Sequence, residues 1–198
     1  PAAWDALRDD AIPALLGDRP EGGQLRAWVV GCSTGEEAYS LAMIFKEVVE
    51  TVRPKASFSL QIFATDLDRH AIETARQGVY PSNIASDVSS RRLRRFFVKE
   101  QDGTFRVKKE IRETVTLAQQ DVIRDPPFTR TDIVVCRNLL IYLEPELQRR
   151  IIPLLHYSLR PGGLLIVSDT VAPEDPALDT FLNCVEILRD PSHVRDYR

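Results

Sequence analysis

Apolar residues along this chain follow two alternating rhythms. Short, almost continuously apolar runs are separated by stretches in which apolar residues recur every third or fourth position. The runs read as strands at Leu25–Val30, Phe58–Thr65, "TVTLAQQD", "TDIVVCRN" and "GGLLIVSD". The periodic stretches read as helices. Residues 4–17 form one, where Pro13 is expected to kink or break it. Residues 36–52 form the next, with Ala38, Leu41, Ala42, Phe45, Val48, Val49 and Val52 on one face and Pro54 as the stop. Residues 68–77 end at Gly78, and Pro145 opens a helix over 145–159. Residues 80–115 break the alternation with short helical pieces and a hairpin around Asp102-Gly103. Strands that are apolar throughout and alternate with helices predict an α/β fold, a parallel sheet covered on both faces. The tail "CVEILRDPSHVRDY" reads as a closing antiparallel pair, which makes the expected sheet mixed. The hairpin region, residues 97–119, is expected as a small insertion in a single domain spanning 1–198.

The chain has 198 residues, enough for one well-buried domain. Its net charge of −3 argues against a general nucleic-acid binder. No apolar run reaches the roughly 18 residues of a membrane span, and the polar, acidic start "PAAWDALRDD" does not read as a signal peptide. The first residue is Pro, so the chain is expected to belong to something longer. Cys32, Cys136 and Cys184 are far apart and read as reduced thiols of a cytoplasmic protein. His70, His156 and His193 are isolated, and no metal site is expected.

The chemistry gathers at the strand ends. "WVVGCSTGEEAYSLA" carries a first strand through the turn Gly31–Gly35 into a helix that begins Glu36-Glu37. A P-loop needs Lys after its last glycine, and a dinucleotide fingerprint needs a third glycine. Neither is present, and two carboxylates at the helix start repel a pyrophosphate. A cationic ligand is attracted instead, and S-adenosyl-L-methionine fits, having an ammonium, a sulfonium and no phosphate. Its ribose diol suits an acidic side chain after the second strand, and Asp66 is that residue. The alternatives are structural: Glu36 and Glu37 stabilise a helix N-terminus, and Asp66 or Asp68 caps the helix at 68–77. "DIVVCRNLLIYL" delivers Arg137 and Asn138 at a strand end, with Asn138 as a helix cap and Arg137 in a surface pair as the alternative. Asp121 marks another strand end.

These segments, "GCSTGEEAYSLA", "FATDLD", "ARQGVY", "RRFF", "FRVKKEIR", "DPPF", "CRNLLIYLEPELQ" and "PGG", resemble the CheR chemotaxis protein methyltransferases in order and spacing. The resemblance is closest to the CheR portion of CheB/CheR fusion proteins and runs from about Trp4 to Val167. It implies a Rossmann-like class I methyltransferase with S-adenosyl-L-methionine as cofactor and S-adenosyl-L-homocysteine as product. It also implies methyl ester formation on glutamates of a chemoreceptor's helical bundle, with fused or adjacent signalling domains as partners. Carried over by position, Gly31, Ser33, Thr34 and Gly35 form the cofactor turn. Glu37 contacts the methionine end, Asp66 and Leu67 the ribose, and Asp121 and Val122 the adenine. Arg137 and Asn138 line the pocket, and Tyr142 lies near the transferred methyl, with Arg137 and Tyr142 as catalytic candidates.

Several positions depart from the family pattern. A Thr/Phe/Phe/Arg-type motif lies just before the matching segment in family members, and this sequence starts after it. Asp121 stands where many members have Asn, and "VSDTVAPED" stands where Gly-x-Ser-Glu is usual. The hairpin is short, which argues against docking of a receptor pentapeptide. Arg91, Arg92, Arg94 and Arg95 form a basic cluster that faces either acidic receptor helices or solvent. The competing readings are a non-catalytic cofactor-binding module of a signalling protein and a methyltransferase acting on a small molecule or RNA, the last disfavoured by net charge.

Overall fold

The computed structural model describes residues 2–17, 19, 22–52 and 57–168. The chain opens with α1 (Ala2–Ala6), a π-helical turn (Leu7–Ala11) and α2 (Ile12–Gly17). Pro13 does not break this segment. Proline has no N–H and crowds the carbonyl four residues back. The turn before it widens, so that Ile12 N–H donates to Leu7 O, and Pro13 follows as the second residue of α2. There follow β1 (Gln24–Val30), α3 (Glu36–Val52), β2 (Ser59–Asp66) and α4 (Arg69–Gln77). The middle holds β3 (Val79–Tyr80), α5 (Ser90–Phe96), β4 (Phe97–Lys99), β5 (Phe105–Val107) and α6 (Lys109–Arg112). The last part is β6 (Val115–Gln119), β7 (Thr131–Arg137), α7 (Pro145–Ser158) and β8 (Leu159–Ser168).

The main sheet has the order β6-β2-β1-β7-β8, and every pair in it is parallel. From β1 the chain builds outward through β2 to β6, then returns to the other side of β1 to add β7 and β8. The order therefore reverses between β1 and β7, where ligands of such sheets bind. Alternate residues of each strand serve opposite faces. Leu25, Ala27 and Val29 of β1 join the cluster under α1–α4, whereas Trp28 and Val30 join the one under α7. The expected Rossmann-like sheet with helices on both faces is present. The antiparallel pair expected near the C-terminus lies outside the described residues.

The hairpin expected around Asp102-Gly103 is present. Asp102 accepts from Thr104 N at 3.0 Å, and Gly103 takes φ +87°. It recruits β3 into a three-stranded sheet of order β3-β5-β4, so the small sheet draws on residues before position 97. Val115–Gln119, expected within the insertion, instead forms the edge of the main sheet through its register with Ile62–Asp66. The basic cluster of α5 is divided. Arg92 pairs with Glu47 of α3 at 2.7 Å and Arg95 pairs with Glu50, clamping α5 to α3, while Arg91 and Arg94 are exposed.

Candidate cofactor site

The ends of β1, β2, β6 and β7 place the sequence-derived residues along one edge of the sheet. The Gly31–Gly35 turn leaves β1 with three left-handed residues: Gly31 at φ +68°, Ser33 at +47° and Gly35 at +93°. At Gly35 a Cβ would come within 3.0 Å of the Ala75 side chain and 3.2 Å of the Tyr39 ring, so both conformation and space require glycine. Ser33 holds its costly φ because its N–H is tied down, donating to Asp66 Oδ2 at 2.8 Å. Cys32 N donates to Thr65 O and Gly35 N to Cys32 O, both at 2.9 Å. Three of the turn's N–H groups are thus committed within the protein. A phosphate cradle needs such groups free, so their engagement adds to the charge of Glu36 and Glu37 as an argument against that reading.

Asp66 ends β2 and is half-buried. Its Oδ2 accepts from Ser33 N and its Oδ1 from Asp68 N at 2.9 Å. The competition to cap α4 goes to Asp68, whose carboxylate accepts from His70 N at 2.7 Å. Asp66 is therefore not a helix cap. It joins the β1 turn to the β2 loop and keeps about one lone-pair site on each oxygen. Leu67 beside it is 65% exposed, and its carbonyl accepts from Gln119 Nε2 at 3.0 Å.

The two glutamates take separate roles. Glu36 accepts from Thr34 Oγ1 at 2.7 Å, closing the helix start on itself. Glu37 reaches across the crevice to Arg137 at the end of β7, with Oε1 to Nη1 at 2.6 Å and both side chains about three-quarters buried. The Arg137 guanidinium also lies 5.6 Å from the centre of the Trp4 ring. The surface pair allowed for Arg137 is thus replaced by a pair spanning the point where strand order reverses. Trp4 gave no signal in the sequence, because 133 positions separate it from Arg137 and no spacing rule links them.

The remaining residues stand further out. Asp121 heads a turn in which its Oδ1 accepts from Ile123 N at 2.9 Å and its own N–H donates to Asp125 at 2.8 Å. That role needs only an acceptor, which Asp and Asn both supply. Val122 packs half-buried against the cluster containing Trp28 and Phe128. Asn138 is exposed at φ +53° and is not a helix cap, since Leu139 precedes the 3₁₀ turn Leu140–Tyr142 without a side-chain bond. Tyr142, at the end of that turn, is 79% exposed.

Sequence reasoning also missed two tyrosines behind the turn. Tyr80 donates to Thr34 O at 2.8 Å and Tyr39 to Ala75 O at 2.7 Å. Burial pushes both hydroxyls above the usual phenol range, Tyr39 to about 12. Burial, with Asp66 next in effect, pushes the Cys32 thiol up to about 12, so it stays protonated. Cys32 and Cys136 are buried, and Cys184 lies outside the described residues. No cluster of metal-binding side chains occurs among the described residues.

The family model of the CheR methyltransferase SAM-binding domain matches residues 1–178. The chain belongs to this family. A "Chemotaxis protein methyltransferase" of Listeria monocytogenes is 33% identical to this CheR domain over 183 residues, covering 91% of this chain and 66% of that protein. An "Uncharacterized 104.1 kDa protein in hypE 3'region" of Rhodobacter capsulatus is 41% identical over 172 residues, 87% of this chain and 18% of that protein. The chain thus spans about two-thirds of the first relative and under one-fifth of the second. A solved glycopeptide N-methyltransferase, MtfA, complexed with S-adenosylmethionine, covers 79% of this chain and 48% of its own at 15% identity and a TM-score of 0.44.

S-adenosyl-L-methionine is the cofactor of this CheR domain. The donor set fits it. Asp66 offers two acceptors on one carboxylate, as a vicinal diol requires, and Glu37 and Arg137 offer one charge of each sign, as an amino-acid zwitterion requires. The committed N–H groups of the turn fit a ligand without phosphate.

Proposed function

We propose that this CheR domain methylates glutamate carboxylates on the helical bundle of a chemoreceptor-like protein, forming glutamyl methyl esters. The observation that supports the reading is that Asp66, Glu37 and Arg137 stand at or just after the carboxyl ends of the neighbouring strands β2, β1 and β7, with Asp66 tied to the β1 turn and Glu37 to Arg137. In this reading Asp66, with Leu67, holds the ribose hydroxyls. Glu37 and Arg137 exchange part of their mutual pairing for the ammonium and carboxylate of the methionine end. Gly31, Ser33, Thr34 and Gly35 form the wall against which the cofactor lies, Asp121 and Val122 flank the adenine, and Asn138 closes the β7 side. When bound, the cofactor supplies an electrophilic methyl group on a sulfonium.

The acceptor needs no general base, because a glutamate side chain with a pKa of about 4.3 is ionised at neutral pH. The protein's task is then to position the carboxylate and exclude water. Arg137 orients negative charge at the crevice. The exposed Tyr142 lies where a substrate helix approaches. A cytoplasmic enzyme with fused or adjacent signalling domains fits this assignment, and no helix among the described residues is long and apolar enough to cross a membrane.

The test is methylation of a receptor cytoplasmic fragment with cofactor labelled on its methyl group, using the chain in its full-length protein. Label should enter the receptor and be released in alkali, as esters are, and Asp66→Ala should abolish it. Alkali-stable label would exclude the ester. Cofactor binding without any transfer would instead make this a sensing module.

A further inference from the structure

Arg112 stands out among the arginines. It closes α6, its stem packs over Gly78, and a Cβ at Gly78 would come within 3.0 Å of Arg112 Cδ. Its Nε is buried and has no hydrogen-bond partner, and its guanidinium makes no ion pair among the described residues. A half-buried cation without a partner is costly, because desolvation is not repaid by a counter-charge. The comparable arginines Arg92, Arg95 and Arg137 are all paired.

Arg112 lines a cleft of about 350 Å³ between α3, α4, α6 and β6, with Tyr39 standing between it and the Gly31–Gly35 turn. Arg76 and Lys109 line it too, and the one carboxylate there, Glu113, reaches Lys109 at 3.4 Å. Three cations therefore face one carboxylate. Tyr39, Val115 and Leu117 give the cleft an apolar wall. The volume lies in the range of small-ligand pockets, and guanidinium groups match the geometry of phosphate oxygens.

We propose that this cleft binds a small organic phosphate, held by the Arg112 guanidinium, which has no counter-charge of its own among the described residues, with Arg76 and Lys109 supplying further charge. The cleft shares no residue with those assigned to the cofactor, and the proposal does not depend on which substrate the domain methylates. Phenyl phosphate tests it, because it combines the anion with a ring for the apolar wall. Amide chemical shifts of the ¹⁵N-labelled 198-residue chain are followed as phenyl phosphate is added at constant ionic strength.

Saturable shifts are expected at residues 76–78 and 109–113, with residues 137–142 at the end of β7 unmoved. Arg112→Gln should weaken binding at least about tenfold, the loss of one charge-assisted hydrogen bond. Lys109→Gln, at a side chain that is 79% exposed and so safe for folding, should weaken it several-fold. Arg91→Gln, at an exposed arginine outside α4 and α6, should leave it unchanged. Inorganic phosphate should shift the same residues with lower affinity, marking phosphate as the recognised group. Shifts that do not saturate, that spread over all exposed arginines, or that persist in both Arg112→Gln and Lys109→Gln would overturn the proposal.

Discussion

Replacing Asp66 by Asn separates two roles that its carboxylate can serve at once. A carboxylate has about four lone-pair sites. Two are occupied by Ser33 N–H and Asp68 N–H at 2.8 and 2.9 Å, leaving about one on each oxygen for a diol. An amide has one acceptor oxygen with two sites. It can hold one loop N–H and one hydroxyl, and it presents an N–H₂ where the second pair was accepted. A hydrogen bond to a charged group contributes about 1.5–3 kcal/mol. At this half-buried position the lost loop bond should cost about 1–2 kcal/mol of folding stability. The lost hydroxyl bond should weaken S-adenosylhomocysteine binding about 10- to 100-fold. Asp66→Ala removes every acceptor and should abolish measurable binding. Calorimetry with the product gives the affinity, and urea unfolding of the same samples gives the stability. An Asn variant that unfolds early yet binds within twofold of the native chain would refute the reasoning, leaving Asp66 only as the link between two loops.

Other outcomes follow from the same contacts. Glu37→Gln and Arg137→Met should each destabilise the chain by about 1–3 kcal/mol, while the double variant costs less than their sum, because each single change strands a largely buried charge. A double-mutant cycle in urea reads the coupling, and additive effects would contradict it. Asp132 is 1% exposed at the opposite end of the sheet, where it accepts from Arg26 N at 2.7 Å and Arg160 at 3.0 Å and pairs with Arg19. Asp132→Ala should cost about 3–5 kcal/mol with little effect on cofactor affinity once folded, which denaturation and calorimetry together check. Above about pH 9 stability should fall. Cys32 and Tyr39 ionise in the unfolded chain from 9.0 and 10.0 but stay neutral in the folded one until about 12, so their contribution is full below the lower values and lost on the way to the higher. Each adds a slope of about 1.4 kcal/mol per pH unit inside its window, and Cys32→Ala should flatten the onset near pH 9 in urea titrations run from pH 8 to 11.

Local features carried most of the fold. Trp28–Val30 and Ile133–Cys136 are buried on both sides, so their sequences are apolar without alternation and read as central strands. Asp68 and Gly78 bracket α4 by rules that act within a few residues. The turn residues Gly31 to Gly35 were also visible, since left-handed backbone leaves a glycine signature. What stayed hidden depends on distant partners. Glu47 and Glu50 meet Arg92 and Arg95 across 45 positions, which turned an apparent surface cluster into a clamp between helices. Trp4 meets Arg137 in the same way. The small sheet needs two residues, Val79 and Tyr80, too few to show any period.

The acidic character of the crevice was read correctly from the sequence but for an incomplete reason. Glu36 and Glu37 suggested a negative mouth that repels phosphate. In the folded chain Glu37 is balanced by Arg137, while Glu36, bonded only to the neutral Thr34 hydroxyl, and Asp66 keep their charge uncompensated by a side-chain cation among the described contacts. The turn also spends three of its N–H groups on Thr65, Asp66 and Cys32, which leaves fewer donors for a phosphate. The same bonds that deny an anion its donors fix Asp66 with an acceptor site left on each oxygen. In the proposed assignment a ligand with a hydroxyl pair would meet a site already arranged for it, and the Glu37–Arg137 pair would let opposite charges arrive together without stranding either side chain. On the proposed assignment, selectivity between phosphate-bearing cofactors and S-adenosylmethionine would rest on how the backbone of this five-residue turn is hydrogen-bonded as well as on the carboxylates beside it.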